Sequence, residues 1–274
     1  MNLKLMSFNL RYENEKDSGK RAWRERVIGI VRLIRSQEVD VLGIQEGKHG
    51  QVADLRASLQ DYEFYGYGRD DGGKEGEYAG IYYRKDRFEV DSSASGMIWL
   101  SDTPGVKGSK TWGNEFPRVA TWVRLTDRAS GQGLWAINMH LDHRSQISRE
   151  KGVRLMAKKL VAMNPERDPV VWMGDFNAVE NNSVYSFLGG KSSTVDGVDG
   201  FKGLKEAYGV LHPGEEKRGT LHFWMSDPDR QWKVDHIFVS KSADIRAAEV
   251  LRTGEPYLSD HFPVYAEITF PYTD

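Results

Sequence analysis

Ten side chains able to hold a cation or move a proton stand at the ends of apolar, strand-like stretches: Asn9, Glu46, His140, Asp142, Asp175, Asn177, Asp235, His236, Asp260 and His261. Carboxylates mixed with amides and histidines suit a hard divalent cation bound through oxygen, Mg²⁺ or Mn²⁺, better than zinc. The chain has no cysteine, which excludes a thiolate zinc site, a disulfide framework and a Cys nucleophile. Hydrated Mg²⁺ takes only one or two protein carboxylates, because waters and phosphate oxygens complete its shell. Asp175 and Asn177 stand directly after the apolar run 170–173 and Gly174. An Asx-turn explains those two in isolation. The other polar strand exits favour a site.

The elements that must position these groups follow from periodicity. Leu3, Leu5 and Phe8 nearly alternate, which predicts a strand leaving Asn9 at its exit. Residues 22–37 carry Ala22, Val27, Ile30, Val31 and Ile34 at helical spacing, and 40–44 form a second strand ending at Gln45-Glu46-Gly47. A short helix over 51–59 and a strand over 62–67 precede a Gly-rich, charged loop over 69–77, expected to be mobile. Strand pattern resumes at 79–83, and 88–100 predicts a pair of strands. The long connection 101–116 holds Trp112, and connections of that length are often functional. Strands over 118–125 and 134–139 read as a hairpin ending in His140-Leu141-Asp142-His143. An amphipathic helix over 149–162 leads into the 170–173 strand, residues 181–200 read as a surface excursion, and 219–224, 233–239, 247–251 and 264–270 read as strands. No repeat or linker interrupts 274 residues, so one domain over 1–274 is expected.

Composition excludes little else. Charged residues make up 28% and hydrophobic ones 39%, a globular balance, and the formal charge of −2 gives no global drive toward nucleic acid or anionic membrane. No apolar stretch approaches the length needed to span a bilayer. The start of the chain enters a strand pattern without a signal-like apolar region, which leads us to expect a cytoplasmic protein and a monomer without stable membrane insertion.

Six motifs in order, Ser7-Phe8-Asn9, Ile44-Gln45-Glu46, Asn138-Met139-His140-Leu141-Asp142, Gly174-Asp175-Phe176-Asn177, Val234-Asp235-His236-Ile237-Phe238-Val239 and Ser259-Asp260-His261-Phe262-Pro263-Val264, resemble those of the endonuclease/exonuclease/phosphatase superfamily. That group has the deoxyribonuclease-I-like fold, and the match spans nearly the whole chain. The Ser109-Lys110-Thr111-Trp112 and Pro117-Arg118-Val119-Ala120 stretches resemble a bacterial branch near the deadenylase-like members.

The resemblance implies a four-layer α/β sandwich, with two mixed sheets face to face, helices outside and the site at one edge. It also implies roles. Glu46 resembles the metal-binding glutamate, with Asn9 and Asp260 supporting the cation directly or through water. Asp175 would orient or deprotonate the attacking water, and Asn177 would donate to the phosphoryl oxygen. His140 and His261 would contact the scissile phosphate, and Asp235 would orient a histidine. Position 236 departs from the pattern: an aromatic residue is common there, and His236 is expected to face the core. Arg118, Trp112, Arg144 and His222 are candidate substrate contacts, Arg144 as a bidentate phosphate clamp or else a solvated cation.

The expected activity is hydrolysis of a phosphodiester, nuclease-type, by metal-assisted attack of water on phosphorus. The alternative is a phosphatase or phosphodiesterase acting on a small phosphorylated metabolite or lipid headgroup. A nucleic-acid substrate calls for a basic, aromatic-lined groove, for which Lys107, Lys110, Trp112 and Arg118 are the candidates. A small metabolite calls for a closed pocket, with Trp112, His222 and Trp224 as walls. A catalytically dead binding module on the same fold would have lost the metal glutamate or the base, and both are present.

Overall fold

The computed structural model describes residues 1–164, 168–191, 195–215, 219–226 and 231–271. Strand β1 (Asn2–Asn9) is followed by helix α1 (Trp23–Ser36), β2 (Val41–Gly47), α2 (His49–Ser58), β3 (Tyr62–Tyr65), β4 (Tyr78–Arg84), β5 (Phe88–Trp99), β6 (Val119–Asp127) and β7 (Gly133–His140). Then come α3 (Gln146–Met163), β8 (Val170–Asp175), α4 (Ser183–Leu188), β9 (Lys205–Glu206), α5 (Ala207–Leu211), β10 (Asp235–Val239), β11 (Asp244–Val250) and β12 (Val264–Thr269). The strands form two six-stranded sheets, ordered β11-β12-β1-β2-β4-β3 and β5-β6-β7-β8-β10-β9. Each sheet is mixed, with β1/β2 and β7/β8 its parallel pairs.

Alternation along each strand divides the apolar residues among three cores, and three cores require four layers. Leu3, Leu5, Val171, Met173, Ile237 and Val264 meet between the sheets. Met6, Phe8, Leu42 and Ile44 point the other way, onto Ile30, Ile34, Val52 and Leu55 of α1 and α2. Ile137, Met139, Trp172 and Phe238 likewise pack on Val153, Met156 and Leu160 of α3 and on Phe187. Each large side chain so buried contributes about 1.5–3 kcal/mol.

Four expectations change. Residues 88–100 form one long strand, because the polar stretch between Asp91 and Gly96 is a register irregularity within the β5/β6 pairing and not a turn. Residues 219–224 do not form a strand: Leu221 bridges singly to Trp232 and to His261, and Phe223 and Trp224 turn left-handed. The 181–200 stretch contains α4, begun by the Asn182 side chain accepting from the Val184 N–H at 3.0 Å. The Gly-rich 69–77 loop is a closed turn: Arg69 N–H donates to the Glu77 carbonyl at 3.1 Å, and the Arg69 guanidinium grips the Glu77 carboxylate. Among the described residues, no helix is long and apolar enough to cross a membrane.

Candidate active site

The same alternation that builds the cores delivers the polar groups. On β8, Val171 and Met173 face the other sheet, so Asp175 does too; on β10, Ile237 faces inward and Asp235 follows it. Register sets His140, Asp175 and Asp235 side by side on β7, β8 and β10. Gly174 is required between them: its φ is +152°, and a Cβ there would lie 2.1 Å from the Met139 carbonyl oxygen. Asn9 arrives from β1, and Asp260 and His261 from the segment before β12.

Glu46 reaches the cluster by a different route. Strict alternation would send it to the helix face with Leu42 and Ile44. An extra residue between Ile44 and Gly47 breaks the β2/β4 register, and Glu46 takes φ +63°, which turns its carboxylate into the site. Below these groups a buried polar bridge joins the sheets: Gln45 donates to Asn138 at 2.7 Å, and Asn138 donates to the carbonyls of Ile44 and Gly80, both at 2.8 Å.

The residues converge on a cleft of about 540 Å³. Asn9 Nδ2 donates to Glu46 Oε1 at 3.1 Å and to Asp175 Oδ2 at 3.0 Å. With its nitrogen on the carboxylates and its oxygen accepting from the Arg11 N–H, Asn9 is set here to orient them. Asp175 Oδ2 lies 3.5 Å from His140 Nε2 and 3.9 Å from His261 Nε2, while Asp175 Oδ1 accepts from the Asn177 N–H at 2.9 Å. Asn177 Nδ2 donates to the Leu141 carbonyl at 3.0 Å. His261 Nδ1 is 2.8 Å from Asp235 Oδ2, the pairing in which the carboxylate holds the ring.

Burial, and then the neighbouring Asp235, push the Asp175 carboxyl up to about 7. Burial and Glu46 raise Asp260 as well. Burial opposes the charge on His261, but Asp235 and Asp175 outweigh it and lift the ring to about 10, an imidazolium at neutral pH. His140 is held well below the usual range by burial and by the Arg118 and Arg69 charges, and is neutral. One imidazole is therefore a cation and the other a neutral base.

Three carboxylates forced together, two of them resisting ionisation, fit a hard cation. Ligand atoms of Glu46, His140 and Asp175 lie within 4.8 Å of one another. Glu46 and Asp175 are placed to share a divalent metal, which would supply Lewis-acid polarisation of a phosphoryl oxygen.

Backbone strain gathers at the same place. Six non-glycine residues among those described have positive φ, and four of them, Arg11, Glu46, Asn177 and Phe223, line this cleft. Such conformations cost about 1–3 kcal/mol each and cluster where function holds them. Arg11 and Phe223 escaped the sequence reading, as did Arg69 and Glu77. Arg11 follows the β1 exit by two residues and Glu77 immediately precedes β4, so position at a strand end was the available signal.

Of the proposed substrate contacts, Arg118 lines the cleft. Trp112 is buried in the core beneath α3, with Lys151 over its ring at 5.5 Å. Arg144 projects outside and pairs with Glu115 at 2.7 Å. His222 is buried and stacked on Phe262, with centroids 4.1 Å apart. A second hollow, of about 570 Å³ along β5 and α3, contains the paired Arg124 and Asp168 and none of the strand-exit residues.

His236 faces the outer side of β10, as alternation requires. Its Nε2 is 2.9 Å from the Ala178 carbonyl, and its Nδ1 is 2.7 Å from Lys233 Nζ, which also holds Glu206 at 2.7 Å. Burial alone would raise Glu206, but Lys233 and His236 hold it down to about 2. A depressed carboxyl contributes stability above its unfolded value of 4.5 and loses it as pH falls through the folded value. Glu206→Gln is therefore expected to lower stability at pH 7 by about 3–5 kcal/mol, since Lys233 is left buried and unpaired. The deficit relative to the parent should shrink as the pH of urea denaturation is taken from 4.5 toward 2.

Comparison with known proteins gives a consistent picture. The sequence pattern of the Endonuclease/Exonuclease/phosphatase family matches residues 6–261. An endonuclease/exonuclease/phosphatase from Bacteroides vulgatus is 32% identical, with 99% of this chain and 100% of that one covered and a TM-score of 0.88. A mannosyl-6-phosphatase from Bacteroides thetaiotaomicron is 29% identical, covering 98% and 100%, with a TM-score of 0.82. The human Nocturnin catalytic domain shares the fold at 20% identity, covering 98% and 94%, with a TM-score of 0.77. No curated protein gives a significant match.

Proposed function

From the premise that the chain belongs to the endonuclease/exonuclease/phosphatase family, a family of phosphoesterases, we propose that it is a divalent-metal-dependent hydrolase of a small phosphorylated metabolite, cleaving a phosphomonoester. The observation that carries the choice is the pairing of the cleft's three arginines with carboxylates, which leaves Lys48, on the Glu13 carbonyl at 3.0 Å, as a single unneutralised cation among the described residues and not a row of them. Arg11 is matched by Asp17 at 2.9 Å and Asp260 at 3.6 Å, Arg69 by Glu77 at 2.6 Å, and Arg118 by Asp142 at 3.5 Å. A nucleic-acid groove needs unneutralised cations in a row along a backbone. Of the four groups suggested for such a groove, Lys107, Lys110 and Trp112 lie off the cleft. The 29% identity to a mannosyl-6-phosphatase supports the same reading.

In this reading Glu46 and Asp175, supported by Asp260, would hold Mg²⁺ or Mn²⁺. Asp175 orients and deprotonates the attacking water, and the His261 imidazolium neutralises charge building on the phosphoryl oxygens. Asn177 adds a donor to the same oxygens. Asp235 keeps His261 charged and aimed.

The test is a hydrolysis panel in Mg²⁺ or Mn²⁺ with EDTA controls, pairing sugar phosphates and glycerol phosphate against single-stranded DNA, RNA and bis-(p-nitrophenyl) phosphate. Monoester turnover abolished by EDTA is expected. Diester cleavage exceeding monoester turnover would return the chain to the nuclease-type reading.

A further inference from the structure

One wall of the cleft has chemistry that the hydrolytic centre leaves unused. Arg69 and Arg118 are almost wholly buried, at 7% and 4% exposure. Arg69 binds the Glu77 carboxylate through both terminal nitrogens, at 2.6 and 3.1 Å, and its buried Nε makes no hydrogen bond among the described residues, lying 3.9 Å from Asp70 Oδ1. Arg118 donates from Nη2 to His143 Nδ1 at 3.1 Å and reaches Asp142 from Nε only at 3.5 Å; its buried Nη1 has no partner among the described residues. Accepting at Nδ1 leaves His143 with its proton on Nε2, a further donor on an exposed ring at the cleft. A hollow of about 10 Å³, the size of one oxygen atom, borders the cleft between Arg69, Glu77, Arg118 and His140. Beside them Phe116 is 41% exposed in the cleft, and the Arg69 guanidinium lies 5.2 Å from its ring centre.

The charges of this wall cancel, Arg69 against Glu77 and Arg118 against Asp142, so it holds no surplus cation for a second anionic group. What it offers is a dense mixture of donors and carboxylate acceptors beside an aromatic face. Hydroxyl groups both donate and accept, and a ring bearing several of them also presents an apolar C–H face. Buried donors built to meet a hydroxyl reject leaving groups that lack one, because the donors are then stranded.

We infer that Arg69, Glu77, Arg118, His143 and Phe116 form a subsite for the hydroxyl groups of an uncharged, polyhydroxylated leaving group, a sugar ring. The inference rests on the monoester reading above and adds what lies beyond the phosphate. Arg118 is a specificity-determining residue in this arrangement: its fork is braced from behind by Asp142 and His143 and leaves the Nη1 amino group for the ligand. Glu77 supplies the complementary acceptor.

The experiment compares kcat/KM for a hexose 6-phosphate, p-nitrophenyl phosphate and a hexose bisphosphate, and measures binding of the free hexose by calorimetry, in the metal-loaded parent, Arg118→Lys and Phe116→Ala. The parent should prefer the hexose 6-phosphate over p-nitrophenyl phosphate at least ~10-fold, although nitrophenolate is the better leaving group. Both variants should shrink that ratio, Arg118→Lys by about 10-fold and chiefly through KM, and both should weaken binding of the free hexose. Phe116 is exposed enough that its variant folds whether or not Arg118→Lys does. Equal turnover of the two monoesters in the parent would overturn the subsite, as would an unchanged ratio in the variants or a bisphosphate preferred over its monophosphate. If only diesters are cleaved, the monoester reading fails, and free-hexose binding still judges the subsite on its own.

Discussion

Asp175→Ala should lower kcat by at least about 10³-fold in saturating Mg²⁺ while leaving the protein folded, because in the proposed reaction the carboxylate would act on the water and share the cation at once. Loss of activity alone is a weak test, since misfolding does the same. The electrostatics supply a sharper one. Asp175 is buried against Asp235 and near Glu46, which push its carboxyl up to about 7. A carboxyl raised in the folded state costs stability once the unfolded chain ionises above its ordinary value of 3.8. In EDTA at pH 8 the variant should therefore unfold at a higher temperature than the parent, and the difference should vanish below pH 4. A variant that is inactive and also less stable at pH 8 would mean that Asp175 holds the fold together, not the chemistry.

The second large effect belongs to the His261–Asp235 pair. Asp235→Asn keeps a hydrogen-bonding group at 2.8 Å but removes the charge that, with Asp175, lifts the ring to about 10. The expected result is a fall in kcat of about 10²–10⁴-fold, because in the proposed reaction a neutral ring would no longer neutralise the phosphoryl oxygens at pH 7. Direct observation of the ring by NMR should show its titration moving down from about 10 in the parent. The stability linkage has the opposite sign from Asp175: a raised histidine contributes fully below its unfolded value of 6.5, and the contribution disappears as pH rises through the folded value. The parent's advantage over Asp235→Asn should thus be largest at mildly acid pH. An unchanged kcat would remove His261 from the reaction.

How much of this was legible in the sequence depends on whether a residue obeys strand periodicity. Asp175, Asp235 and His140 follow inward apolar neighbours at intervals of two, so alternation alone assigns their face, and it assigns His236 to the opposite one. Glu46 disobeys: only the bulge after Ile44 brings it inward, and nothing in Ile44-Gln45-Glu46-Gly47 announces an extra residue apart from the family resemblance. Arg11 and Phe223 occupy left-handed backbone that sequence propensity assigns to glycine or asparagine. Arg144 follows the His140 motif along the chain, Trp112 stands in the long 101–116 connection, and His222 stands beside Phe223-Trp224. Loops change direction without a period, however, and each of the three lies outside the cleft. The polar tract between Asp91 and Gly96 misled for the same reason as Glu46, since turn-like composition inside a long strand is also what a bulge looks like.

The place of β1 bears on how the protein comes into being. β1 lies between β2 and β12, and the Met1 ammonium donates to the Phe270 carbonyl at 2.7 Å. A ribosome delivers β1 first and β12 some 260 residues later in the same chain, so β1 waits with one hydrogen-bonding edge open through most of synthesis. Asn9 meets Asp260 and His261 only when that edge closes, its carbonyl then accepting from the Ser259 hydroxyl at 2.7 Å. A chain released early would have Glu46, His140 and Asp175 but no completed first sheet on which to assemble them, and so would be inert.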